Sequence, residues 1–151
     1  MIIKVDDGNI QLAAEIHAKS WRESHRSFCS EEFINRHTSA RQAAYLRDKM
    51  RAGEAIYMLV EDKPVGVVAV DGNLIEDLYI LPEEQRKGYG TKLLKFAMER
   101  CEKPPVLWIL SNNQAAYALY SRYGFQKTGR RKQLSGQLFE CEMTYENEAA
   151  E

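Results

Sequence analysis

The chain has 151 residues, 44% of them hydrophobic and 28% charged, with a formal net charge of −1. That length supports a single domain with a real core, and the near-neutral balance gives no global basic footprint for nucleic acid. No stretch approaches the ~18 apolar residues of a membrane span, and "MIIKVDDGNI" lacks a signal-peptide pattern.

Three cysteines, Cys29, Cys101 and Cys141, stand in no CxxC spacing. A disulfide framework or a zinc site is not indicated, so a cytoplasmic protein without a metal is expected.

Ile2 to Val5 reads as a short strand. From about Asn9 the residues Ile10, Ala13, Ala14, Ile16 and His17 recur at helical spacing, predicting a helix that reaches Trp21. Ser30 before "EEFI" predicts a second, short helix with carboxylates in its first turn. Thr38 or Ser39 caps a third, which carries Ala43, Ala44, Leu46, Lys49 and Met50 and stops at Gly53. The runs 55–62, 64–71 and 74–81 are β-rich and separated by "DKP" and "DGN", which predicts an antiparallel meander. A helix after Gly90 places Leu93, Leu94, Ala97, Met98 and Cys101 on one face. "VLWIL" (106–110) fits a buried central strand. A helix over about 113–122 and strands near 125–132 and 137–145 complete a single α/β domain over residues 1–145. The acidic end, 146–151, is expected to be disordered.

"QRKGYGTKLLKFAM" (85–98) opens a helix with two glycines, each costing roughly 1 kcal/mol against alanine in a helix interior. A Rossmann fingerprint would require glycine at position 93, where Leu93 stands, and no Walker A spacing occurs. An anion cradle fits better, because bare N–H groups at a helix N-terminus attract phosphate and glycine lets it approach.

The block "DLYILPEEQRKGYGTKLLKFA" resembles the acetyl-coenzyme A motif of the GNAT-type N-acetyltransferases, Q/R-x-x-G-x-G/A, with Gln85, Arg86, Lys87, Gly88, Tyr89 and Gly90 at its positions. A later block resembles the family's N-x-x-A-x-x-x-Y-x-x-x-G-F, met here by Asn113, Ala116, Tyr120, Gly124 and Phe125. The resemblance implies the GNAT acyl-coenzyme A N-acyltransferase fold: a mixed, mostly antiparallel sheet with splayed central strands, flanked by helices. It further implies acetyl-coenzyme A as co-substrate. Main-chain groups of Leu78, Tyr79 and Ile80 would then meet the pantetheine arm and the acetyl carbonyl. Residues Arg86, Lys87, Gly88, Tyr89, Gly90 and Thr91 would cradle the pyrophosphate, and Asn113 would bond the arm from the other side.

Acetyl transfer needs a deprotonated amine, a polarised carbonyl and a stabilised thiolate. The family position of Tyr120 makes it the acid for the departing thiolate; Tyr117 and Tyr123 read as structural. Glu76 and Asp77 are two acids in an otherwise apolar strand. Strict alternation puts Glu76 on the side of Leu78 and Ile80, where relatives often carry a base on this strand, so the resemblance prefers Glu76, whereas a bulge would exchange the faces and favour Asp77. Trp108 stands where relatives acetylating a ribosomal protein's N-terminal alanine carry a glutamate base, which favours a small-molecule amine over a protein acceptor. The segment 20–33 offers Trp21, His25, Phe28 and Cys29 with Glu23, Glu31 and Glu32, an aromatic wall suited to a cationic amine. Arg130, Arg131 and Lys132 read as a solvated strand end, and Cys29 as a buried thiol. Rival readings are a protein or peptide N-acetyltransferase and a non-catalytic coenzyme A sensor. Members of this size often form homodimers, although no feature of this sequence specifies one.

Overall fold

A computed structural model describes residues 1–146. Most of the acidic tail, 147–151, lies outside the described residues. In chain order the elements are β1 (Ile2–Lys4), α1 (Ile10–His25), α2 (Glu31–Asn35), α3 (Ser39–Arg51), β2 (Ala55–Val60), β3 (Pro64–Asp71), β4 (Leu74–Ile80), α4 (Tyr89–Glu99), β5 (Val106–Leu110), α5 (Gln114–Arg122), β6 (Phe125–Ser135) and β7 (Leu138–Tyr145). Each predicted element is present, and the first helix runs one turn further than Trp21. The caps are those the sequence offers: Ser30 accepts from the Phe33 N–H, and Thr38 rather than Ser39 accepts from the Arg41 N–H.

The seven strands form one sheet in the order β1-β2-β3-β4-β5-β7-β6. Neighbouring strands pair antiparallel except β4 and β5, which are parallel. The 55–81 region is the expected meander. Alternation along the strands divides the apolar residues between two faces. One face joins Val68, Ile75, Leu107, Ile109 and Met143 to Leu93, Leu94 and Ala97 of α4 and to Tyr120 of α5. On the other, Ile56, Met58, Val67 and Ala69 meet Ile10, Ala13 and Ala14 of α1 and Leu46 of α3. Burying a leucine such as Leu93 or Leu94 fully contributes roughly 1.5–3 kcal/mol, so each helix is fastened chiefly by its apolar stripe.

Two irregularities make the site. First, β4 and β5 share a single register pair, Leu74 with Val106, and diverge beyond it. Second, the β3–β4 register slips between Val67 and Ala69, so that Asp77 and Leu78 together oppose Val68. Asp77 takes φ 54 at this bulge, a left-handed conformation that aspartate tolerates better than most residues.

The bulge corrects the face expected for Glu76. Leu78 and Ile80 pack with the α4 face, but Glu76 and Asp77 both reach Lys49 on α3. Strict alternation fails because one residue has been inserted between Glu76 and Leu78. Among the described residues, no helix is long and apolar enough to cross a membrane. The three cysteines are free and only partly buried, Cys29 included, which corrects the expectation of a buried thiol there.

Candidate active site

A cleft of about 1060 Å³ opens where β4 and β5 part. Its walls include Leu78, Tyr79 and Ile80 from β4, Trp108 from β5, Asn113 and Tyr120 from α5, and Trp21 and His25 from α1. Its lining reaches Ile80, Pro82 and Gln85, just before the turn that starts α4. Gly88 is its N-cap at φ 86, with no side chain capping the first turn. Arg86 also has positive φ, 68°, and the turn leaves the first N–H groups of α4 to solvent or a ligand.

The two glycines of this turn have different causes. A Cβ on Gly88 would meet nothing within 4 Å, so backbone conformation alone selects glycine there. A Cβ on Gly90 would touch Leu119 Cδ2 at 3.8 Å and Ile80 Cγ1 at 3.9 Å, both ordinary contacts. Nothing in the protein's own packing demands that glycine. Gly88→Ala is expected to lower stability by about 1 kcal/mol. Gly90→Ala is expected to be neutral or to gain up to about 1 kcal/mol through helix propensity. Urea denaturation midpoints compare the two directly.

The basic residues contribute unequally. Lys87 Nζ donates to Glu84 Oε2 at 2.8 Å, so part of its charge is already matched. Arg86 makes no ion pair among the described residues. Gln85 Nε2 donates to the Ile80 carbonyl at 3.2 Å and ties the loop to the end of β4. The Asn113 carboxamide oxygen accepts from the Ala116 N–H at 3.0 Å, which leaves its NH2 group for a ligand.

Tyr120 lies in the wall with only 9% exposure, its ring edge-on to Phe125 at 5.9 Å. Burial pushes its phenol up to about 12, and its hydroxyl makes no hydrogen bond among the described residues. It is therefore a protonated, uncommitted donor at neutral pH.

Across the cleft, the two strand acids enter an ionic network. Asp77 Oδ2 accepts from Tyr45 Oη at 3.0 Å and lies 3.1 Å from Lys49 Nζ. Its Oδ1 lies 3.3 Å from His17 Nε2, off the line of a good hydrogen bond. Gln42 Nε2 donates to His17 Nδ1 at 2.9 Å, which leaves the ring proton on Nε2, toward Asp77. Burial raises the Asp77 carboxyl, but His17 and Lys49 outweigh it and hold the group below its ordinary range. Lys49 also contacts Glu54 Oε1 at 3.3 Å and hydrogen-bonds Glu76 Oε1. Burial opposes the Lys49 charge, yet the Asp77 charge and the Glu76 bond raise its pKa.

Of these partners, Tyr45, Gln42 and Glu54 were missed from sequence, and His17 and Lys49 were read only as helix positions. The signal was present, since Gln42, Tyr45 and Lys49 recur at helical spacing on one face of α3.

The part of the cleft wall from Trp21 to His37 is aromatic. Trp21 is sandwiched between His25 at 3.9 Å and His37 at 3.4 Å, both nearly parallel to it, and Phe28 lies beside His25. Burial lowers both imidazoles, against the bonds to the Trp21 carbonyl at His25 and the Phe33 carbonyl at His37. Glu31 and Glu32 turn instead to Arg26 and Arg36. The cations 130–132 are exposed at the strand end, as read from sequence, and each still has a partner. Arg130 pairs with Glu142, Arg131 covers Phe139, and Lys132 sits 4.4 Å over the Trp108 ring in the cleft wall.

No curated protein matches the chain. Among solved structures, the PaiA N-acetyltransferase from Thermoplasma acidophilum in complex with coenzyme A superposes with TM-score 0.72 at 20% identity, covering 96% of this chain and 98% of that one. The YncA protein from Salmonella typhimurium with its cofactor acetyl-CoA gives 0.71 at 20% identity, with coverage of 95% and 91%. Ribosomal-protein-alanine N-acetyltransferase from Brucella melitensis gives 0.69 at 16% identity, with coverage of 95% and 98%. These likenesses establish a shared fold. The acetyltransferase (GNAT) domain model matches residues 15–146, and with most of its length so accounted for, the chain belongs to the GNAT acetyltransferase family.

Proposed function

We propose that the protein transfers an acetyl group from acetyl-coenzyme A to the primary amine of a small molecule by direct attack. The observation that carries this reading is one cleft with three suited parts. An uncapped helix start follows on from Gln85 of the lining, the free Tyr120 hydroxyl lies in the wall, and Glu76 and Asp77 line it together with Trp21 and His25.

Each part has a task. First-turn N–H groups of α4 bind the diphosphate, and the bare Gly90 lets it come close. Free main-chain groups on the β5 side of β4, at Leu78 to Ile80, hold the pantetheine and polarise the acetyl carbonyl. Glu76 takes a proton from the acceptor ammonium, directly or through water. The bulge that would favour Asp77 is present, but His17 and Lys49 favour its anion and make it a poor base. The amine nitrogen then bonds the carbonyl carbon, the C–S bond breaks, and Tyr120 protonates the thiolate.

A panel of small amines, polyamines, amino acids and peptides, scored by thiol release from acetyl-coenzyme A, tests the reading. Turnover is expected on small primary amines. Turnover confined to peptides would move the acceptor to proteins, and coenzyme A binding without any thiol release would leave a sensor. In a binding titration, Gly90→Ala is expected to weaken coenzyme A about tenfold without loss of stability, through one intruding Cβ.

A further inference from the structure

Glu54 precedes β2, outside the cleft, where neither the GNAT motifs nor the cleft wall include it. It nonetheless belongs to the cleft's charge balance. Lys49 Nζ lies 3.3 Å from Glu54 Oε1, hydrogen-bonds Glu76 and stands 3.1 Å from Asp77 Oδ2. Three carboxylates thus face one ammonium and, through Asp77, the His17 imidazole and the Tyr45 hydroxyl. Glu54 and Lys49 side chains are only 13% and 12% exposed, whereas Glu76 is 31% exposed and lines the cleft.

Asp77 has its negative charge met by the Tyr45 hydroxyl and the Lys49 ammonium, with His17 Nε2 3.3 Å away. Glu54 and Glu76 converge on the same ammonium that Asp77 also contacts, so three carboxylates share one positive charge, which favours one of the pair keeping a proton. We propose that Glu54 is the proton-holding partner of Glu76, and that this pair, bridged by the Lys49 ammonium, takes the proton the acceptor sheds and releases it to solvent. The proposal rests on the acetyl-transfer reading for its use in turnover, but not for the shared proton itself.

The proton balance requires such an exit. An ammonium and a thioester give an amide, a free thiol and one proton. Tyr120 gives its proton to the thiolate and recovers one of the two that leave nitrogen; the other must reach bulk water. With Glu76 taking that proton and the Lys49 ammonium staying charged, the pair holds two protons and sheds one to water, so its resting single proton is restored. Burial, reinforced by the Glu76 hydrogen bond, pushes the Glu54 carboxyl up to about 7, which suits a group that loads and unloads near neutrality. Glu54 is a positioning residue here, since it touches neither acceptor nor thioester.

Carboxyl-carbon NMR on the full-length protein tests the shared proton without any substrate. The Glu54 resonance, assigned by its loss in Glu54→Gln, is expected to titrate near neutrality and to titrate lower in Glu76→Gln. With an accepted amine in hand, Glu54→Gln is expected to move the acid limb of kcat/KM down by about one pH unit. A merely structural Glu54 would leave that limb in place. Titration of Glu54 in the ordinary carboxylate range, or a limb that superimposes on wild type, overturns the proposal. Near-neutral titration in a protein that acetylates nothing would uphold the shared proton and sink only the acetyl-transfer reading.

Discussion

Tyr120→Phe is expected to lower kcat by about 10²–10⁴, the usual range for losing a positioned general acid. The ring would remain, so its edge-on packing against Phe125 would survive. Its hydroxyl bonds no described residue, and no partner would be stranded by its removal. Stability should therefore stay within about 0.5 kcal/mol of wild type. Steady-state thiol release together with a thermal melt separates the two effects. Turnover within a few-fold of wild type would remove Tyr120 from the chemistry. A melt displaced by many degrees would mean that its hydroxyl has a structural partner. With the phenol raised to about 12 by burial, wild type should also show no alkaline limb from Tyr120 below about pH 11.

Lys49→Met should cost about 3 kcal/mol of stability near neutral pH, an effect of comparable weight on the fold. The methionine keeps most of the side chain's length and apolar stem. What it removes is the single ammonium facing Glu54, Glu76 and Asp77. Taking one partner from a mostly buried ionic cluster leaves charge uncompensated, and 3–5 kcal/mol is the usual cost. The lower end applies because Glu76 retains some solvent.

The pH dependence follows from the two shifts. Lys49 has a raised pKa, so its stabilising contribution is complete below pH ~10 and fades only above it. Asp77 has a lowered pKa, so its contribution is present above pH ~4 and is lost on further acidification. The gap between wild type and Lys49→Met should be widest between about pH 7 and 10, and should close below pH 4. Chemical denaturation across that range measures it. A gap independent of pH would assign the loss to packing instead.

Much of the fold was legible because local chemistry and tertiary packing agree. Ser30, Thr38 and Gly53 mark helix limits by capping and turn chemistry, and "DKP" and "DGN" close tight connections; none needs a distant partner. Leu93, Leu94 and Ala97 recur at helical spacing because one face of α4 meets the sheet. Gly88 and Gly90 stood out for a similar reason, since a helix start that rejects better residues signals a backbone or ligand requirement.

The acid network was not legible in the same way. Glu54, Glu76 and Asp77 are close in sequence only in part, and Lys49, Tyr45 and His17 come from two other helices. Which face Glu76 takes depended on one inserted residue at Asp77, and alternation cannot be counted through a bulge that the sequence does not announce. By itself the sequence determined the elements, the family and the glycine turn, because those follow from spacing along one chain. Only the tertiary structure decided the partners of the two acids, because ion pairing depends on distances through space that chain packing alone sets.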